Sequence, residues 1–525
     1  MCKLFNKIFI KLKKIKFINL YLIISLNFLL LVCSLSGQSI ARWGLPYIKN
    51  YYPYEYNGYS QNWDIAFDST GILWLANGDG LMSFDGIRWH KYFLPTNDAI
   101  ASIVIDNGRI YVGSKNEFGY FLISNPKTYK YVSLTDKAKN LSFSNNYFLS
   151  AAKTNYGIYL SDKYSVVRLI KDKVDVLFTN VKGDLINFNN SAFFYNPKTG
   201  LYLLSGSKLL YIKGNYPLNS QMFMFLPYAN DTLLIIDATA GIYKGILDID
   251  NISSPTLNIE EIDFPIEKEL LQNSILDAKK TSDSYIFSTY FGGTYVYDLD
   301  FKLQYILNHS SQLISLTHNK IALDPNENIW LAMDYGIAKV NTHNPFTLLS
   351  KVHGLTSSIL DVIFFNNKLI AGGWTNLFVE EIEESTNYFK KTSIDNICWQ
   401  LKKIKFDKDS FVIVASNIGL YALDYKNNII PIDTGNFRTI NVTSSPTYFT
   451  ATTENFFNIY NYKNKKIVKT FSIPLPVGIT FSNINFRKAD SSYVHYISCD
   501  EPKIIKITTT NELQEIQVLT LPTKK

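Results

Sequence analysis

Among 525 residues there are only four cysteines, six histidines and five methionines, and charged side chains make up 18%. The histidines (His90, His309, His318, His343, His353 and His495) fall into no His-Glu-x-x-His or similar short spacing, and no Cys-x-x-Cys occurs, which argues against a transition-metal centre. Gly78-x-Gly80 lacks the third glycine of a dinucleotide fingerprint, and neither a Gly-x-Ser-x-Gly elbow nor a phosphate loop is present. Asp248-x-Asp250-Asn251 opens like a calcium loop, but Ile252 and Ser253 stand where a ligand and a glycine are required, so it reads as a solvated turn. No cofactor is expected. After residue 38 no apolar run is long enough to span a membrane.

Diffuse positive charge is lacking too, despite a formal net charge of +7. Lys3, Lys7, Lys11, Lys13, Lys14 and Lys16 precede the first acidic residue, and the remaining 46 Lys and Arg nearly balance 45 Asp and Glu. A near-neutral body offers phosphates no general attraction, so direct nucleic-acid binding is excluded. The lysines are followed by an apolar run of 16 residues, Phe17 to Val32, and then by small and polar residues to Gln38. That is the order of a signal peptide over residues 1–37, cleaved near Ser36 or Gly37, and it places the protein on the periplasmic or cell-surface side of the inner membrane. The alternative is an uncleaved N-terminal anchor, for which the run falls short of the roughly 20 residues needed to span. Cys2 and Cys33 leave with the signal, and Cys398 and Cys499 read as buried free thiols.

What the chain has in quantity is aromatic residues, 15% of the total, with 36 Tyr and 35 Phe. Aromatics favour pleated, half-buried surfaces. From Gln61 to Pro95, four β-like runs are separated by three turn signals. Asp68 caps its own turn, Gly71 supplies the positive φ that closes it, Trp74 enters the next strand as a core anchor, and Gly80 opens the third strand. The pattern returns as Asp324, Trp330-Leu-Ala and Gly336-Ile, with Glu327 in place of Gly71. Looser copies anchor at Gly119, Gly157, a degenerate position near Lys208, Gly241, Gly293, Asn376, Gly419, Asn455 and near Pro502. The average interval is about 42 residues, the period of four-stranded propeller blades.

The expected fold is therefore all-β: tandem β-propeller repeats of about 11 four-stranded blades, with a seven-bladed ring over residues 45–345 and a partial second ring of about four blades over 346–525. Trp43-Gly-Leu-Pro46, Gln61-Asn-Trp63, Gly80-Leu to Phe84-Asp-Gly86 with Trp89, and Ile110 to Tyr120 resemble the N-terminal sensor region of two-component regulator propeller proteins, especially those carrying a triple-tyrosine domain. The resemblance implies an extracytoplasmic ligand-sensing module that signals to an output module. Here the output module is either separate or lost by truncation, or a partner chain completes the second ring. The oligomeric state, homodimer included, is left open. The alternative class is a propeller enzyme, a lyase, lactonase or glycosidase acting on carbohydrate, because propeller active sites assemble from distant blades. No catalytic residue is identified.

Loops at one propeller face are the expected binding surface, with Asn116, Glu117, Tyr290 and Trp374 as candidate contacts to an oligosaccharide or similar small ligand. Tyr111 to Gly119 spans eight residues where Trp74 to Gly80 spans six, so that turn is expected to carry two extra residues. The competing reading makes Glu117 a brace to a neighbouring blade and Trp374 a wedge between blades.

Overall fold

The computed structural model describes residues 44–520, apart from 126, 142–145, 217–222, 230–231, 238–240, 251–253, 263–266, 384–385, 407–408, 443–447, 476–480, 490–491, 500–502 and 510–513. The expected signal peptide lies outside the described residues. The fold is all-β, and among the described residues there are eleven sheets, nine of them four-stranded antiparallel meanders and two carrying a fifth strand. Among the described residues no helix is long and apolar enough to cross a membrane.

Contacts divide the chain into two compact units, one of which runs from Leu45 to Val352. Within it, seven sheets follow one another. The first is Asn62–Phe67, Leu73–Asn77, Gly80–Phe84 and Trp89–Tyr92, and the seventh contains His318–Leu323, Ile329–Met333 and Ile337–Asn341. The first strand of each sheet packs on the first strand of the next, and that of the seventh packs back on that of the first, so the seven sheets close a ring. The outer position of the seventh blade is taken by the N-terminal strand Leu45–Tyr51, which runs antiparallel to Ile337–Asn341 with Tyr51 opposite Ile337. Joining the two ends of the ring in one sheet removes the exposed edge that an open array would present.

The repeat chemistry is local. The Oδ1 of Asp68 accepts from the backbone N–H groups of Thr70 (2.9 Å) and Ile72 (3.0 Å), while its Oδ2 accepts from Trp74 Nε1 at 2.9 Å. One carboxylate thus forms the turn and fixes the indole that enters the core, where Trp74 packs with Tyr92 and Ile103. Asp324 does the same for Asn326, Asn328 and Trp330. Glu327, at the place of Gly71, adopts φ +57° beside the +85° of the glycine. A β-carbon in that region is strained, and the Glu327 carboxylate is held by the N–H of Ser282 in the preceding blade. Gly80 has φ +125°, and a Cβ there would stand 2.6 Å from the Tyr92 carbonyl oxygen.

Two expected anchors move. Ser114 pairs with Glu117 as Asn77 pairs with Gly80, so Glu117, and not Gly119, opens the third strand of the second blade, and the turn has no extra residues. Asn116, one residue before Glu117 in the turn, has φ +52°. In the fourth blade Asn196 pairs with Gly200, so Gly200 is the anchor and Lys208 begins the fourth strand.

A second recurring device joins the blades. The first strand of many sheets carries a bulge after its first residue. The third residue then turns its side chain to the next blade. Asp64 accepts from Ile103 N (2.9 Å), Asp277 from Ile321 N (3.0 Å), Asp361 from Leu401 N (2.8 Å) and Gln400 from Ile440 N (2.6 Å).

The other unit contains four sheets beginning with the strands Ile359–Phe365, Cys398–Phe406, Phe437–Val442 and Phe481–Ala489. Consecutive first strands pack on one another. The cores between its blades are aliphatic and aromatic, as with Phe406, Phe437, Phe449 and Tyr460. Burial pushes the Cys398 thiol up to about 12, so it is a packed, unreactive group. The side chain of Cys499 lies outside the described residues.

Candidate functional site

In a ring of antiparallel four-stranded blades, every turn between second and third strands opens on the same face, together with the links that enter each blade. The candidate residues all lie on such turns. Asn116 and Glu117 belong to the second blade, Tyr290 to the sixth, and Trp374 to the eighth, in the other unit.

Glu117 points along its own blade. Its Oε1 accepts from the Tyr131 hydroxyl and the Ser133 hydroxyl, both at 2.7 Å, bracing the third strand to the fourth and not to a neighbouring blade. Burial, reinforced by this carboxylate, holds the Tyr131 phenol well above its ordinary range. Asn116 donates its backbone N–H to the Asn146 carbonyl at 3.2 Å. Tyr290 is open to solvent, edge-on to the exposed Phe291 at 4.6 Å. Tyr156 and Tyr335, exposed on the equivalent turns of the third and seventh blades, give this face of the first ring a set of aromatic side chains.

Toward the centre of that ring the chemistry becomes polar. Asn319 and Gln61 donate to the same Asp334 oxygen at 2.8 and 2.9 Å, and Trp63 meets Tyr147 at 5.1 Å. Deeper, Lys320 Nζ lies 3.3 Å from Asp277. Burial raises Asp277, but Lys279, Lys320 and the Ile321 N–H outweigh it and the carboxyl sits below its ordinary value. Asp64 shows the reverse balance: burial wins over Lys320 and the carboxyl is raised. Lys320 is raised, chiefly by Asp277. Among the described residues, no group of three or more His, Cys, Asp and Glu is placed to hold a metal ion.

A concavity of about 520 Å³ lies on the first unit beside Asp85, Ile87, Arg88, His90, Asn125 and Lys127, and the second unit holds another. Leu360, Asp361, Trp399, Gln400, Lys402, Arg438 and Thr439 line a cleft of about 380 Å³. Apart from Lys402, its walls are the second and third residues of the first strands of consecutive blades, next to the bulge. Trp374, half exposed, meets Trp399 edge-on at 5.6 Å, and the Arg438 guanidinium lies over the Trp399 ring at 4.6 Å. Arg438 also pairs with Glu454 at 3.0 Å. Both Asp361 oxygens are engaged, by Val362 N and Leu401 N. The Nε1–H of Trp399 and the Nε–H of Arg438 are shielded from solvent and find no acceptor among the described residues. A shielded donor left unpaired is costly. Trp399 and Arg438 were not singled out by the sequence reading. The signal was available in Asn62-Trp63-Asp64 and Cys398-Trp399-Gln400, which place an indole just before the residue that ties each blade to the next.

No protein-family model and no curated protein matches the chain. Solved structures do. The extracellular domain of the hybrid two component system BT3049 from B. thetaiotaomicron is similar over 91% of this chain and 73% of its own, at 13% identity and a TM-score of 0.49. That of BT4673 from the same organism, described as a one component system, is similar over 91% and 74%, at 16% identity and a TM-score of 0.42. Streptogramin B lyase is similar over 57% of this chain and 99% of its own, at 14% identity and a TM-score of 0.43. The kind of protein that the sequence resembles is thus among the structures matched.

Proposed function

We propose that this chain is the extracytoplasmic ligand-sensing part of a signal-transduction protein, exported through its N-terminal signal and acting through an output module. The observation that carries the ligand-binding part is the cleft between the eighth, ninth and tenth blades, where Trp374 and Trp399 offer an indole lip beside the Arg438 guanidinium. An indole face stacks on a sugar ring, and N–H donors orient its hydroxyls. The ligand class is an oligosaccharide or a similar polymer fragment.

The test compares Trp374→Ala with Glu117→Ala. The Trp374 ring makes one edge contact and is half in solvent, so its removal should leave the ligand-free Tm nearly unchanged while abolishing the upward shift given by a binding oligosaccharide found by screening. Glu117→Ala, by contrast, leaves the part-buried Tyr131 hydroxyl without its acceptor and should cost about 1 kcal/mol with or without ligand. An intact ligand shift in Trp374→Ala would remove the cleft from the proposal. Turnover of a lactone, glycoside or uronide by the purified chain would replace the sensor with an enzyme.

A further inference from the structure

On the face of the first ring that carries the turns between second and third strands, one carboxylate stands without a countercharge. Asp334, on that turn of the seventh blade, is partly buried, and the amides of Asn319 and Gln61 both donate to its Oδ1. Its Oδ2 accepts from no described residue and is open to solvent. Among the described residues no lysine, arginine or histidine lies within ion-pair distance of Asp334, whereas Asp79, on the equivalent turn of the first blade, is paired with Lys91 at 3.0 Å. Two amides holding one oxygen fix the carboxylate and leave the other oxygen as a negatively charged acceptor.

Aromatic side chains accompany that turn on both sides. The Asp334 N–H donates to the Thr317 carbonyl at 3.2 Å, and the Thr317 hydroxyl donates to the Tyr290 carbonyl at 2.8 Å. In the other direction the Gly336 N–H donates to the Ser60 carbonyl at 3.0 Å. The sixth, seventh and first blades therefore carry Tyr290 and Phe291, Tyr335, and Tyr59 on loops bonded one to the next, with Asp334 on the middle loop, and all four rings are exposed. Asn319 donates as well to the Asn62 carbonyl at 2.9 Å, which brings the amides that hold Asp334 next to Trp63 in the chain.

We infer that this face, built by the first unit alone, binds a primary ammonium group such as an amino sugar or a lysine side chain carries. An ammonium has N–H donors and no acceptor, which matches an acceptor-only oxygen. Its charge is also attracted to the faces of tyrosine and tryptophan rings, more strongly as water is excluded. A divalent metal ion matches poorly, because one free oxygen beside two amide donors supplies a single ligand where such ions take six or so. An anion would meet unbalanced negative charge, and a neutral ring would leave that charge unanswered.

The experiment is isothermal titration calorimetry on the full chain in about 0.15 M salt, which screens unspecific attraction, at about pH 6, where amines are protonated and carboxylates ionised. The probes are a glucosamine tetramer, its fully N-acetylated form and trilysine. At least one cationic probe should bind saturably, and the tighter of the two assigns the source to an amino sugar or to a peptide. Asp334→Asn keeps an oxygen for Asn319 and Gln61 but removes the charge, and should weaken that binding roughly tenfold or more. Tyr335→Ala removes one exposed ring and should weaken it about threefold. Trp374→Ala should bind the cationic probe as the parent does, so a failure of the cleft in the second unit and a failure here are told apart. Saturable binding of neither cationic probe overturns the inference. So does an unchanged affinity in Asp334→Asn, and so does a Trp374→Ala protein that binds the N-acetylated tetramer as tightly as the glucosamine tetramer.

Discussion

Trp330→Ala should be among the most damaging single substitutions in the chain, at about 3–5 kcal/mol, with a fall in Tm of roughly 10 °C. Trp330 is buried where the two ends of the first ring meet. Its ring stacks on Tyr51 of the N-terminal strand (5.7 Å, 13° between planes) and packs against Phe67 and Phe84 of the first blade. Removing it opens a cavity lined by three segments far apart in sequence. Because the N-terminal strand is held to the seventh blade on one side only along most of its length, limited proteolysis of the variant should first cut near Leu45–Tyr51. Chemical denaturation with the cleavage map measures both effects. A loss below about 1 kcal/mol, or first cleavage elsewhere, would show that the seam does not depend on this indole.

Lys320→Met should also be severe at neutral pH, and its size should depend on pH in a defined direction. Asp277 is nearly enclosed, and its ionised form is stabilised by Lys279, Lys320 and the Ile321 N–H. In the parent, with the native carboxyl below its unfolded value, this contribution is complete above the unfolded carboxylate pKa and is lost as pH falls through the native one. Without Lys320, burial of Asp277 and Asp64 is opposed by less positive charge and both carboxyls move up. Removing one partner of a buried pair costs about 3–5 kcal/mol when both are enclosed. Lys320 is partly exposed, so about 2 kcal/mol is expected at pH 7. Protonating the two carboxyls relieves the variant, so the gap between parent and variant should narrow steadily as pH is lowered from 7 toward 4. Urea denaturation across that range measures the gap, and one that widens in acid would refute the assignment of the charges.

The blade spacing was legible because its markers act locally. Asp68 and Asp324 bond to N–H groups two and four residues away, and Gly80 and Gly336 satisfy a backbone angle. Where another residue stood in the glycine's place, the reading slipped. Glu117 took the Gly80 position of the second blade, so Gly119 two residues later looked like the anchor, and the Pro197-Lys198-Thr199 turn hid Gly200. Non-local facts left no mark of this kind. Nothing near Leu45–Tyr51 indicates that its partner is Ile337–Asn341, almost the whole ring away. The cleft left no mark of its own in the sequence, because Trp399 and Arg438 come together only when consecutive blades are set side by side.

The acceptors at Asp64, Asp277, Asp361 and Gln400 all reach a backbone N–H of the following blade and not a particular side chain. Every blade owns that group at the fourth residue of its first strand, so the coupling recognises a place in the chain whatever occupies it. Blades joined this way are interchangeable at the coupling. A copied or transplanted blade arrives with its own acceptor for the next unit and a ready donor for the previous one, leaving only the apolar packing to be refitted. Such a fold can grow or shrink by whole units without a compensating change at the junction.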